Sequence, residues 1–415
     1  MSHDSGPSAA REISNPSRKT SRKFQSQSLF RAKRNLAAVM VALSLVTTLA
    51  PSGLALPVST TESVDHAAAL KSAPTVNVIP KELDGQIKKG KNSPYRGNML
   101  EWNSANPKDA FIVCIHAWGL SAREFSSFGT EMSTRGFDVA ALDVRGFGAN
   151  RDQDGMKTID LDKAIKDIGQ LLAAKRKSDP KKKIFLVGES MGGAMALKTA
   201  ALYPELVDGV VCSAPAWRIF SLKTITVKGV VDQVLGEPGF AARFITNKAS
   251  SDEKLQKQWL SDSNYRMNYS APEAFHYYRL MQSTPKNAKE IKGIPVLVMQ
   301  GLNDHLSKPC ASVKLFKKLK NKSKQLAIVL GGEHLVLEEN QLKPLVASFV
   351  EDWVLNQMHD KKASNATPQM VVIGDPGTLD QEDQKELNRL KLLAGVRTPS
   401  PKARTTALKR DTLSP

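Results

Sequence analysis

Short apolar runs recur along the chain at 110–116, 137–143, 183–188, 207–213, 295–301 and 324–330, bounded by Gly, Pro, Asp or Asn. Runs of this length between turn-forming residues fit strands buried on both faces. The period changes between them: 160–176 and 191–202 carry apolar residues at helical spacing. Strands alternating with helices predict an α/β fold, a mostly parallel sheet with helices on both faces. The alternation lapses over 217–292, where helix-like segments occur without a comparable strand. This stretch reads as an insertion, 218–292, into a core of 94–217 and 293–359. Pro344 fits a first helical position, and the stripe Val346, Phe349, Val350, Trp353 and Val354 predicts a closing helix that ends near Met358.

The flanks follow other patterns. Residues 18–34 are rich in Arg and Lys, 36–50 are apolar, and Pro51, Ser52 and Gly53 follow, in the order of a secretory leader. Gly53 and Ala55 place small side chains three residues and one residue before a cut ahead of Leu56. Residues 1–55 are thus expected to be a signal peptide or signal anchor. Fifteen helical residues span about 22 Å against a hydrocarbon core of about 30 Å, which favours cleavage, whereas the long segment before them favours an anchor. No cysteine follows the apolar run and no Arg-Arg pair precedes it, so the expectation is the general secretory route without a lipoprotein anchor. The remainder is then exported, secreted or periplasmic, or membrane-anchored if the leader is uncleaved. Residues 56–93 read as a linker. Residues 360–415 read as a disordered tail holding one short helix, with Thr378 and Gln381 as a capping box and Leu387, Leu390 and Leu393 along one side.

Composition narrows the class without changing it. Hydrophobic residues at 41% and charged residues at 24% exclude collagen-like, fully disordered and polytopic membrane classes. The net charge of +18 is partly a property of the leader, since residues 1–35 hold eight basic and two acidic side chains. Elsewhere the two signs interleave rather than form the basic stripe a nucleic-acid groove needs, so no nucleic-acid partner is expected. The cysteines Cys114, Cys212 and Cys310 are odd in number and widely spaced, which disfavours a disulfide framework or a metal cluster. Cys114 and Cys212 lie in strand-like runs and are expected to be buried free thiols.

The chemistry concentrates after the third apolar run, where a strand leads directly into Gly188-Glu189-Ser190-Met191-Gly192-Gly193 and an Ala-rich helix. A serine in a strand–turn–helix elbow has its hydroxyl lifted clear of the backbone, and flanking glycines let strand and helix converge. Serine alone is a poor nucleophile, so a base and an orienting acid are expected after later strands. Asp304 follows the strand at 295–301, and His334 follows that at 324–330. The other histidines lie in flanks, cap or tail junction, precede the nucleophile, or, for His305, adjoin Asp304 with no strand between. Glu333 and Asp143 are competitors for the acid. For the oxyanion, the expected donors are the backbone N–H groups of Met191 and Trp118; a purely packing role for the Trp118 side chain remains open.

His116-Ala117-Trp118-Gly119, Asp143-Val144-Arg145-Gly146-Phe147-Gly148, the elbow, the loop ending at Asp304 and Gly331-Gly332-Glu333-His334 together resemble the α/β-hydrolases. Within them the chain resembles the monoglyceride lipase, lysophospholipase and serine aminopeptidase-like branch, over roughly residues 97–358. The resemblance implies a helical cap over a Ser-His-Asp site. One position departs: the family usually has His-Gly where this chain has His116-Ala117, and alanine disfavours a positive φ.

The expected activity is a serine hydrolase for carboxylic esters, lipid-like ones such as monoacylglycerols or lysophospholipids, with possible membrane-surface contact and no cofactor or metal. Phe220, Phe240, Phe244, Trp259, Phe275, Tyr277 and Tyr278 are candidate pocket walls. An aminopeptidase would need acidic cap residues to hold an ammonium group, yet 218–292 holds twelve basic and seven acidic side chains. A small-ester carboxylesterase of the same fold and a non-catalytic binding protein on the scaffold are also compatible with these residues.

Overall fold

The computed structural model describes residues 86–88, 95–219, 240–338, 340–359 and 369–395. Nine strands form one sheet in the order β1-β2-β4-β3-β5-β6-β7-β8-β9. They are β1 (Gln86–Lys88), β2 (Met99–Trp102), β3 (Ala110–Ile115), β4 (Asp138–Leu142), β5 (Lys183–Glu189), β6 (Gly209–Ser213), β7 (Val296–Gly301), β8 (Lys324–Val329) and β9 (Gln369–Ile373). The six predicted runs are β3 to β8, which pair in parallel; β2 runs antiparallel to β4, and β1 antiparallel to β2. In β3 every residue is buried, as a strand covered on both faces requires.

One apolar layer joins the alternate residues Val113, Ile115, Leu186 and Val298 to the helices α2 (Leu161–Ser178) and α3 (Met191–Leu202). The opposite layer joins Ile112, Cys114, Val187 and Leu297 to α1 (Ser126–Thr134) and to the closing stripe of Val346, Val350 and Trp353. α2 starts where Asp160 accepts the Lys163 N–H, a cap contributing about 1 kcal/mol. Cys114 and Cys212 are buried free thiols, and burial pushes both thiol pKa values up.

The insertion carries three helices among its described residues: α4 (Phe240–Ala249), α5 (Glu253–Ser261) and α6 (Ala271–Glu290). Ser270 and Glu273 form a capping box that opens α6, and Glu273 also clamps Arg266 through two 2.9 Å bonds. Thr284 of α6 donates to the Ala216 carbonyl at 2.9 Å, tying the cap to the end of β6. A third apolar cluster, with Leu120, Leu255, Trp259, Tyr265 and Leu335, fills the space between cap and core.

After β7 comes α7 (Pro309–Lys318), and the closing helix α8 is Pro344–His359, with Val346, Val350, Trp353 and Val354 buried as predicted. The expectation of a disordered tail is corrected over 369–395. Gln369–Ile373 adds β9 in parallel to β8, and α9 (Gln381–Ala394) buries Leu387 and Leu390 in the core layer beside α7. Its N-cap is Asp380, which accepts from the Asp383 N–H, rather than Thr378. The apolar positions seen as one side of a lone helix find a partner surface, and this supplies the burial that a short helix lacks in water. β1 also falls in the stretch expected to be linker. The leader, Phe220 and the ends of the tail lie outside the described residues.

Candidate active site

Ser190 stands at the junction of β5 and α3 with φ 52°, one of three described non-glycine residues in the positive-φ region. That strain is held by two backbone bonds: the Ser190 N–H donates to Ser213 O at 2.9 Å, and its carbonyl accepts from Ala216 at 2.8 Å. A Cβ on Gly192 would lie 1.8 Å from the Ile115 carbonyl oxygen, so only glycine lets the elbow settle against the end of β3.

The loops after β7 and β8 bring the other two residues to it. Asn303 N–H donates to Gly332 O at 2.9 Å, zipping the loops together, and a Cβ on Gly301 would meet Glu333 O at 2.0 Å. His334 Nε2 lies 2.9 Å from Ser190 Oγ, and His334 Nδ1 lies 2.9 Å from Asp304 Oδ2. All three are buried, with residue exposures of 5%, 2% and 3% for Ser190, His334 and Asp304. Asp304 Oδ1 accepts the Leu306 and Ser307 N–H groups at 2.9 and 2.7 Å. Its Oδ2 accepts from Gln300 Nε2 at 2.9 Å, and Ser312 in turn donates to Gln300 Oε1 at 2.6 Å. Burial alone would push the imidazole of His334 down. The charge and hydrogen bond of Asp304, with a smaller contribution from Glu189, outweigh it, and the pKa lies above the ordinary histidine value.

The competitors for the acid sit elsewhere. Glu333 binds Ser250 Oγ and the Ser251 N–H, both at 2.8 Å, in the cap. Asp143 accepts the Ala122 and Ala149 N–H groups, and burial pushes its pKa up to about 6. His116 is neutral, its pKa lowered to about 4 by burial, and braces the loop after β3: its Nδ1 lies 2.7 Å from Ala117 O, and its Nε2 accepts the Val144 N–H at 3.1 Å. Ala117 is not among the positive-φ residues, so alanine sits there without backbone strain.

Neither the Met191 N–H nor the Trp118 N–H is taken up in a hydrogen bond among the described residues. Both flank the end of β3 and the elbow, where an oxyanion would form. The Trp118 ring is held edge-on by Phe147 from the core and by Tyr269 from the cap, each at 5.1 Å between ring centroids, and stacks on Tyr277 at 4.5 Å. The Tyr277 hydroxyl interacts with the Ser190 side chain; burial pushes the phenol pKa up, so it remains a donor. Of the other named cap aromatics, Trp259 is buried in the cap interface and Phe244 packs against it, while Phe275 and Tyr278 are exposed and stack on each other. The Phe240 side chain lies outside the described residues.

Sequence pattern alone does not single out Gln300 or Glu338, or give Glu189 a role. The available signal was a polar side chain in an otherwise apolar strand for Gln300, and a carboxylate wedged between Gly188 and the nucleophile for Glu189.

A family model described as serine aminopeptidase, S33, matches residues 106–341. The chain is 25% identical over 264 residues to a monoacylglycerol lipase of Mycolicibacterium smegmatis, covering 62% of this chain and 92% of the relative. It is 21% identical over 263 residues to a monoglyceride lipase homolog of monkeypox virus, covering 62% and 93%. Among solved structures, it shares its fold with a monoacylglycerol lipase of Paleococcus ferrophilus (TM-score 0.51, 22% identity, 62% of this chain and 98% of that one). A soluble variant of the Saccharomyces cerevisiae monoglyceride lipase is similar at TM-score 0.53 and 16% identity, covering 66% and 94%.

Proposed function

Because the chain belongs to the serine aminopeptidase, S33, family of α/β-hydrolases, we propose that it is an exported serine hydrolase that cleaves monoacylglycerol-like esters by acyl transfer through Ser190. The observation that carries the reading is the continuous relay Ser190–His334–Asp304, with a 2.9 Å step at each join. In this reaction His334 Nε2 takes the Ser190 proton as Oγ attacks the ester carbonyl. Asp304 holds the tautomer with its proton on Nδ1 and stabilises the imidazolium that forms. The Met191 and Trp118 N–H groups receive the oxyanion. His334 then returns its proton to the leaving alcohol, and water, activated by the same base, releases the acid.

The choice of a lipid-like ester rests on the cap and on the relatives. The Trp118, Tyr269 and Tyr277 rings beside the nucleophile offer apolar surface for an acyl chain, at about 0.8 kcal/mol for each buried methylene. The relatives at 21% and 25% identity are a monoglyceride lipase homolog and a monoacylglycerol lipase. The family description names a peptidase, but the basic excess of 218–292 disfavours a substrate ammonium and accommodates a lysophospholipid phosphate at a membrane surface. Export rests on the leader-like order of 18–55 alone, and amino-terminal sequencing of the mature protein tests it.

The deciding experiment compares kcat/KM for acylglycerols of increasing chain length, a lysophospholipid and an amino-terminal proline amide. The expected result is a rise with acyl length until the pocket fills. Best cleavage of the amide, or reaction of only the shortest esters, gives the site to a peptidase or a small-ester esterase.

A further inference from the structure

Beneath the nucleophile lie three acidic side chains that acyl transfer as described leaves without a role. Glu189 and Glu338 are fully buried, and Glu124 is 2% exposed. Glu189 precedes Ser190 on β5, and its two oxygens accept the N–H groups of Val336 and Leu337, at 2.8 and 3.0 Å, in the loop that carries His334. Glu338 accepts the Ala117 N–H at 2.8 Å, in the loop that carries the Trp118 donor, and its other oxygen has no hydrogen-bond partner among the described residues. Tyr265 reaches from the cap to donate to Glu124. One acidic cluster therefore touches the elbow, the oxyanion loop and the histidine loop. Among the described residues no three His, Cys, Asp or Glu side chains are placed to hold a metal ion, so the cluster calls for another explanation.

Two carboxylates so deep in the protein cannot both be ionised at modest cost. The titratable groups facing Glu189 are His334 and Glu338; those facing Glu338 are Glu189, Glu124, Tyr265 and the Cys114 thiol. Burial pushes both glutamates up. Glu338 has one N–H donor and acidic neighbours, and it moves furthest. Glu189 is opposed in its rise by the Ser213 hydroxyl, then by two N–H donors and the nearby imidazole. Of the pair, Glu189, pushed up to about 7, is the one that ionises first as pH rises, and Glu338 keeps its proton.

We propose that Glu189 is a positioning residue of the reaction: its carboxylate fixes the histidine loop and, behind Asp304, supplies a second negative charge to the imidazolium formed at His334. Protonated Glu338 fills the space beside it without competing for that charge, while it pins the oxyanion loop. This inference rests on the Ser190–His334–Asp304 reading. Neutralising Glu189 weakens the hold of His334 on its proton, whereas a neutral mimic of Glu338 reproduces the state it already occupies.

The test is the pH dependence of kcat/KM for an ester in the full-length enzyme, with E189Q, E338Q and E189D variants and fluorophosphonate labelling of each. E189Q is expected to move the acid limb down by about one pH unit and lower kcat about tenfold, a change in pKa that a merely structural defect does not produce. E338Q is expected to leave the limb at its wild-type position or above. An E189Q limb that stays in place, or an E338Q limb that falls like that of E189Q, overturns the proposal. Should E189Q not fold, E189D decides: with the charge retained its limb stays within a few tenths of a unit even as turnover drops, and a displaced limb overturns the proposal. Labelling separates the two levels. A wild-type enzyme that does not label at Ser190 fails the acyl-transfer reading itself, whereas labelling with an unmoved E189Q limb fails only the role of Glu189.

Discussion

The carboxyl rim of the sheet and the cap that covers it are built on different terms. At the rim, each side chain of the relay is buried and its loop is pinned by backbone bonds: Ser190 to Ser213 and Ala216, Asp304 to the Leu306 and Ser307 N–H groups, and Asn303 to Gly332. The cap meets the rim through ring contacts on Trp118, through Tyr265 and Thr284, through Ser250 and Ser251 donating to Glu333, and through the half-buried Arg266 and its Glu273 clamp. The rim leaves the reacting atoms little freedom. Beside the reacting serine the cap contributes ring surface and the Tyr277 hydroxyl, so its alteration should change which substrates react more than whether any do.

The largest effect should come from the rim. Ser190→Ala is expected to lower turnover by about 10⁴- to 10⁶-fold with an unchanged melting curve, since one small hydroxyl is lost and every step depends on it. Steady-state ester hydrolysis by the purified variant checks this, and activity within tenfold of wild type would break the contrast between rim and cap.

Asp304→Asn should follow, at about 10⁴-fold, because the amide favours the wrong imidazole tautomer. It also carries a pH signature. The active form has neutral His334, and Asp304 raises the pKa of that imidazole above the ordinary histidine value, so the wild-type acid limb of kcat/KM lies above that value. Activity is lost as pH falls through it, and in the variant the limb moves to lower pH.

The outer support of the rim predicts a loss of stability rather than of chemistry. Asn303 binds both oxygens of Asp383 at 2.9 and 3.1 Å, and Leu387 and Leu390 of α9 pack in the core layer that includes Phe316 of α7. Leu390→Ala is expected to cost about 2–4 kcal/mol in chemical denaturation. Removal of 360–415 should destabilise further, because it also strips β9 from β8. A truncated enzyme with wild-type stability would contradict the packing of this segment.

The smallest effect belongs to the cap. Tyr277→Phe keeps the stack on Trp118 and removes the hydroxyl beside Ser190, and should reduce kcat/KM by about tenfold. Tyr277→Leu removes the stack as well and should alter the ranking of acyl-chain lengths. Equal losses for every substrate in both variants would place Tyr277 with the rim instead.

Much of this division was legible in the residues. Strands β3 to β8 are continuous apolar runs closed by turn formers, and burial on both faces leaves that mark whatever the neighbours are. Chain order and strand context singled out Ser190, Asp304 and His334, and the structure brings these three together. The shorter edges were not legible. β2 is four residues long and holds Glu101, and β9 is a half-buried edge strand inside a polar stretch, so neither stands out from loop. The α9 leucines were visible as a stripe, but the surface they cover is set by α7, about seventy residues earlier in the chain. Glu189 and Glu338 escaped for a related reason. A buried carboxylate reads as a surface charge until the N–H groups that hold it are known, and those come from loops far away in sequence.

Acyl transfer through Ser190 is tested most directly by mass spectrometry of the acyl-enzyme, trapped by rapid acid quench during turnover of a long-chain ester. The predicted result is one acyl group per chain, carried by the peptide containing Ser190 and absent from Ser190→Ala. An adduct on another residue, or hydrolysis at full rate by Ser190→Ala, would contradict it.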